Sequence, residues 1–302
     1  MSLELVEGAA RVALLPATGG AIAAFEWHGR DVLRPTPADA RVAGNVRLSA
    51  CYPLVPYSNR IRDALLHFRG ADTPLARNFG DHPHAIHGVG WQRAWHVERA
   101  SPAHALLTFT HDARGDGACA WPWPFRASQA FDLTAGERTV QLVMTLTIAN
   151  IGAASFPFGL GWHPFFPRDA STTLRFDASD VWLNDATQLP LQRIPAAGRW
   201  DFASPRDPGE AMVDNLFGGW GGSAELEHPN DGMTTTLSAD RACNRLVVYA
   251  PEGRAFVAIE PVTHETDAFN RAARGATDTG MRVLPPGAAF SCTMRIRAAL
   301  RH

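Results

Sequence analysis

The chain has no lysine: all 28 of its basic side chains are arginine. Schiff-base chemistry needs an ε-amine, so pyridoxal enzymes, lysine-dependent aldolases and Walker-type phosphate loops are excluded. Cysteine is scarce too. Cys51, Cys119, Cys243 and Cys292 form no C-x-x-C pair, which argues against zinc knuckles and redox motifs and predicts free thiols. Neither sign of charge dominates, with 28 basic and 30 acidic residues and a net charge of -2. That balance gives no electrostatic footprint for nucleic acid or anionic lipid, and neither is expected as a partner.

Long apolar runs are also missing. None approaches the ~20 residues of a membrane span, and the run from Ala13 to Phe25 is broken by Pro16, Gly19 and Gly20. The opening Met1-Ser2-Leu3-Glu4-Leu5-Val6-Glu7 is acidic where a signal peptide would be basic. The cytoplasm is the expected compartment.

What is present is an alternation of period two. Val140, Leu142, Met144, Leu146 and Ile148 alternate with Gln141, Val143, Thr145, Thr147 and Ala149, and Phe290, Cys292, Met294 and Ile296 repeat the pattern near the end. Each predicts a strand with one buried face. Shorter candidates lie at 21–27, 94–99, 105–110, 126–133, 234–239 and 246–249. Because 26 Gly and 22 Pro recur too closely for three-turn helices, only 267–274 is expected to be helical. With 46% apolar residues, no linker and no repeat, the chain reads as all-β: one large antiparallel β-sandwich spanning residues 1–302, whose loops host the chemistry.

Two stretches place a titratable side chain among apolar and aromatic neighbours: Gly161-Trp162-His163-Pro164-Phe165-Phe166-Pro167, and Phe256-Val257-Ala258-Ile259-Glu260-Pro261. Burial there tunes proton affinity, so His163 and Glu260 read as a general acid and a general base. Each alone also has an ordinary explanation, a hydrogen-bonded core histidine or a solvated strand end. Asn59 and Arg60 offer donors for vicinal hydroxyls, or else shape a turn while Arg60 or Arg62 pairs with Asp63. His82, His84 and His87 lie within six residues. They suggest three imidazoles on zinc, yet no spacing elsewhere completes such a site; the alternative is that His87 alone bonds a ligand. Asp214, between apolar residues, needs a partner, either a sugar hydroxyl or a backbone amide. Acidic residues in Thr263 to Asn270 are expected to cap a turn or short helix. Trp91, Trp162 and Trp220 border these segments, and tryptophan faces stack on pyranose rings as readily as they fill cores.

In order, Asn59-Arg60-Ile61, His87-Gly88, His163-Pro164-Phe165-Phe166, Asp214-Asn215 and Glu260-Pro261 resemble the aldose 1-epimerase (galactose mutarotase) family, as does Leu284-Pro285-Pro286-Gly287 before the last strand. The resemblance implies a β-sandwich of the galactose mutarotase type with a shallow cleft on one sheet, a small-molecule sugar as substrate, and neither metal nor organic cofactor. It makes His163 the acid at the ring oxygen and Glu260 the base at the C1 hydroxyl, with Asn59, Arg60, His87 and Asp214 holding the sugar. The chain departs from the pattern at Gly88-Val89-Gly90-Trp91, at Trp162 and Pro164, and at Val247 where some members carry Gln. Galactose is therefore not assumed. A sugar-binding or sensor protein on the same fold is the alternative from another class.

Overall fold

In the computed structural model, which describes residues 2–301, the alternating segments form the centre of a long antiparallel sheet. Thr139–Asn150 pairs with Phe125–Ala135 on one side and Ala289–Leu300 on the other. Val140, Leu142, Met144, Leu146 and Ile148 are at most 2% exposed, as a two-residue period with one buried face requires. The sheet has eight strands, running outward through His104–His111 to His96–Ala100 and through Met233–Ala239 and Ser223–His228 to Thr173–Phe176. The strand expected at 94–99 starts later because Trp95 turns inward. Its indole donates to Gly90 O at 2.9 Å and its backbone N–H to Pro16 O.

A second eight-stranded sheet carries the candidate residues. Its central strand, Phe256–Val262, pairs with Arg245–Tyr249 on one side and with Gly161–Trp162 and Phe165–Pro167 on the other. Asp214–Gly218, Asp180–Asn184 and Pro190–Pro195 extend one flank, and Pro53–Leu54 the other. The two faces of this sheet have different jobs. Phe166, Phe217, Val248 and Ile259 point into the core shared with Phe131 and Leu142 of the first sheet, which makes the two sheets a sandwich. Leu216, Val247, Ala258 and Val262 point the other way into a smaller apolar cluster with Tyr52, Trp91 and Phe165. All named strand pairings are antiparallel. Leu3–Glu7, Ala10–Leu15, Ala21–Trp27 and Arg30–Leu33 form a four-stranded sheet at the amino end.

The expected helix is Ala268–Ala273, but Asp267 does not cap it. An N-cap acceptor needs an extended backbone, whereas Asp267 is left-handed at φ 55°. Its carboxylate instead accepts from Arg62 N at 3.0 Å, Asn270 Nδ2 at 2.8 Å and Arg274 Nη2 at 3.0 Å. Nor does Glu265 cap anything: it is buried, bonded to Arg271 and Trp182 and close to Arg245. Among the described residues no helix is long and apolar enough to cross a membrane.

Candidate active site

Strand register fixes the face of the sheet from which Glu260 projects. Leu216 faces Val247 and Val247 faces Glu260 across successive strands, while Asp214, Tyr249, Ala258 and Phe165 form the neighbouring row. Directly opposed residues share a face, so both rows open to the same side of the sheet. His163 sits in the break between Gly161–Trp162 and Phe165–Pro167. Its N–H donates to Tyr52 O at 3.0 Å and Ile259 N–H donates to Pro164 O at 3.3 Å, which anchors the break beside the central strand. There His163 Nε2 lies 3.2 Å from Glu260 Oε1, with the side chains 10% and 3% exposed.

Burial decides how that pair ionises. It pushes His163 down to about 3, helped by the charge of Arg34. It raises Glu260 well above the usual carboxylate range, helped by Asp214 and opposed by Arg60. Separated charges are costly in so dry a place. Both shifts favour the uncharged forms, a neutral imidazole facing a protonated carboxyl.

The other sequence-predicted residues converge on the same cleft. Asn59 and His87 are both left-handed, at φ 57° and 61°, and they lock each other there. Asn59 N–H donates to His87 Nδ1 at 3.0 Å, and His87 N–H donates to Asn59 O at 2.8 Å. With Nδ1 accepting, a neutral His87 carries its proton on Nε2. Burial, with the charge of Arg60, keeps it neutral by holding it well below its ordinary value. Arg60 donates from Nη1 to Asn59 Oδ1 at 2.9 Å and not to Asp63. Burial lowers its pKa while Asp214 and Glu260 hold it up. Asp214 is raised by burial against the pull of Arg60. Asn184 Nδ2 fixes its strand by bonding Asp214 O at 2.7 Å.

Three histidines expected as metal candidates serve the backbone. His84 Nδ1 accepts from Asp63 N at 2.9 Å and His82 Nδ1 from His84 N at 3.3 Å, as His87 does from Asn59. Among the described residues no group of three His, Cys, Asp or Glu side chains is placed to hold a metal ion. Of the three tryptophans, Trp91 joins the cleft cluster, whereas Trp162 and Trp220 belong to the inter-sheet core. Sequence reasoning missed Tyr52, Arg34 and Trp182. Tyr52 sits against His163 with ring centroids 4.8 Å apart, and only strand register reveals it.

His264, which follows Glu260 in sequence, is structural. Its Nε2 accepts from Ser58 N at 3.0 Å and its Nδ1 donates to Glu265 O at 2.7 Å, tying the Asn59–Arg60 turn to the sheet. Burial pushes it down to about 4. The unfolded chain then binds a proton below pH ~6.5 that the native state refuses down to about 4. This residue's contribution is full above pH ~6.5 and is lost as pH falls, by about 2 kcal/mol between pH 7 and 5. Urea unfolding should show a pH 7-to-5 loss of stability smaller by that amount in His264→Asn. Equal losses in the two proteins would contradict it.

Similarity to known proteins agrees with this geometry. A sequence model for aldose 1-epimerase matches residues 1–297. The uncharacterized protein YphB of Escherichia coli K12 is 32% identical over 291 residues, 92% of each chain. A crystal structure from E. coli K12, provisionally described as an aldose 1-epimerase, superposes with a TM-score of 0.87 at 27% identity and covers 99% of both chains. A galactose mutarotase-like protein of Clostridium acetobutylicum gives 0.85 at 17% identity, over 99% of this chain and 95% of that one.

Proposed function

The chain belongs to the aldose 1-epimerase family, and from that premise we propose that it is a mutarotase interconverting the α and β anomers of an aldohexose or a close derivative. One observation carries the reading: an imidazole and a carboxylic acid 3.2 Å apart at the floor of a cleft, ringed by Asn59, Arg60, His87 and Asp214. Interconverting anomers requires one proton to leave O1 and another to reach O5, so a pair holding a single proton between a good acceptor and a good donor suits it.

On this reading the sugar enters between the two groups. Its C1 hydroxyl becomes a donor to Glu260, and the Glu260 proton passes to His163 as the carboxylate gains that bond and the nearby Arg60 charge. Glu260 then takes the O1 proton as the C1–O5 bond breaks, and His163 delivers its own to O5. The open-chain aldehyde turns about C1–C2, presents its other face and closes with the roles reversed. Leu216, Val247 and Ala258 supply an apolar floor for the C–H face of the ring. The Nε2–H of His87, Asn59, Arg60 and Asp214 supply the polar contacts, and no step calls for a cofactor.

Freshly dissolved α-glucose and α-galactose, followed by polarimetry with and without the protein, test this directly. The expected result is relaxation to the anomeric equilibrium faster than the spontaneous rate for at least one sugar. Sugar binding with unaccelerated relaxation would favour a binding protein instead.

A further inference from the structure

Against His163 packs a group of side chains that the proton-transfer scheme does not use. The Phe165 ring stacks on the imidazole at 4.5 Å and 20°. The Arg34 guanidinium lies 4.0 Å from the Phe165 ring centroid. Tyr52 meets the imidazole at 4.8 Å and lies 6.3 Å from Phe165, with Trp91 5.8 Å from Tyr52.

Arg34 is fixed in place. Its Nη2 donates to Leu48 O at 3.1 Å and Ser49 O at 2.9 Å, and its N–H donates to Phe165 O at 2.8 Å. The guanidinium also lies 4.6 Å from the Phe256 ring centroid. Among the described residues no carboxylate offsets its charge; burial lowers its pKa to about 10 and only Tyr52 opposes that. A half-buried cation without a counter-ion, one aromatic ring away from a titrating imidazole, is an expensive arrangement unless the charge acts on something.

We propose that Arg34 is a positioning residue for His163. Through Phe165 it fixes the plane of the imidazole, and its unbalanced charge makes a proton on His163 easier to surrender to the sugar's ring oxygen. The inference rests on the acid role proposed for His163.

The groups facing His163 from every side support this division. Glu260 lies 3.2 Å away on the central strand and shares the proton. His87 stands with its ring 5.5 Å away and is held neutral. Tyr52 and Cys51, both pushed up by burial, stay uncharged. Arg60 is the other cation, but Asp214 and Asp185 offset it. Arg34 is left as the unbalanced charge, and after burial it is the largest influence lowering the proton affinity of His163.

The test uses ¹⁵N-imidazole NMR titration of the sugar-free protein, which needs no turnover, alongside anomerisation kinetics. In Arg34→Met, which keeps the packing length and removes the charge, the His163 midpoint should rise by about one pH unit, with kcat falling several-fold and KM unchanged. Arg34→Lys should restore the wild-type midpoint. An unmoved midpoint in Arg34→Met overturns the proposal, as does an Arg34→Lys midpoint displaced as far as that of Arg34→Met. The lysine variant decides the matter alone if the methionine one does not fold. A wild-type protein that anomerises no aldose yet shows the expected shifts would sink the mutarotase reading and leave the action of Arg34 on His163 standing.

Discussion

Glu260→Gln is expected to lower kcat/KM for anomer interconversion by about 10²- to 10⁴-fold, the usual span for losing one general acid–base group, with no loss of stability. The second half of that statement is unusual for a buried carboxyl. It follows because burial pushes Glu260 toward its protonated form, which glutamine matches in both shape and neutrality. The amide can still donate to His163 Nε2, 3.2 Å away, but it cannot take the O1 proton. Polarimetry and urea unfolding on the same preparation check both halves. Unchanged kinetics would remove Glu260 from the chemistry, and a fall of several kcal/mol in stability would show that the carboxyl is ionised at rest. His163→Ala should cost activity on the same scale.

Glu265→Ala should produce the largest stability change, a loss of about 3–5 kcal/mol, as expected when one partner leaves a buried ion pair. The Glu265 side chain is 3% exposed and lies 3.7 Å from Arg245, itself 6% exposed. It also bonds Arg271 and accepts from Trp182 Nε1 at 3.2 Å. Without Glu265, Arg245 keeps Asp278 at 2.9 Å, but Arg271 loses its partner and the Trp182 indole its acceptor. Trp182 packs against the cleft cluster, so the damage should spread to the floor of the site. Urea titration with tryptophan fluorescence reads the change. A loss below about 1 kcal/mol would mean the network behaves like a surface ion pair.

The fold was readable because its strands announce themselves. The 140–148 alternation lies within Thr139–Asn150, 234–239 within Met233–Ala239, and 21–27 coincides with Ala21–Trp27. His163 and Glu260 stood out by a different route, from unusual neighbours and the ordered motifs around them, and the structure places them 3.2 Å apart. What escaped was everything set by register. Nothing local to Arg34, Tyr52 or Phe165 says that the two rings meet at one imidazole with the guanidinium over Phe165, because they come from three separate segments joined only by pairing across strands. Glu265 and Asp267 misled for a related reason. Their position before a short helix suggested caps, but arginines claim them in space, Arg271 and Arg245 for Glu265 and Arg274 and Arg62 for Asp267.

The cations around this cleft are all guanidinium groups, Arg34 and Arg60 foremost among them. On the mutarotase reading, an aldose opened between His163 and Glu260 exposes a free aldehyde, the form of a sugar that condenses with amines and begins glycation. With no side-chain amine anywhere in the 302 residues, the chain offers that aldehyde no lysine to modify.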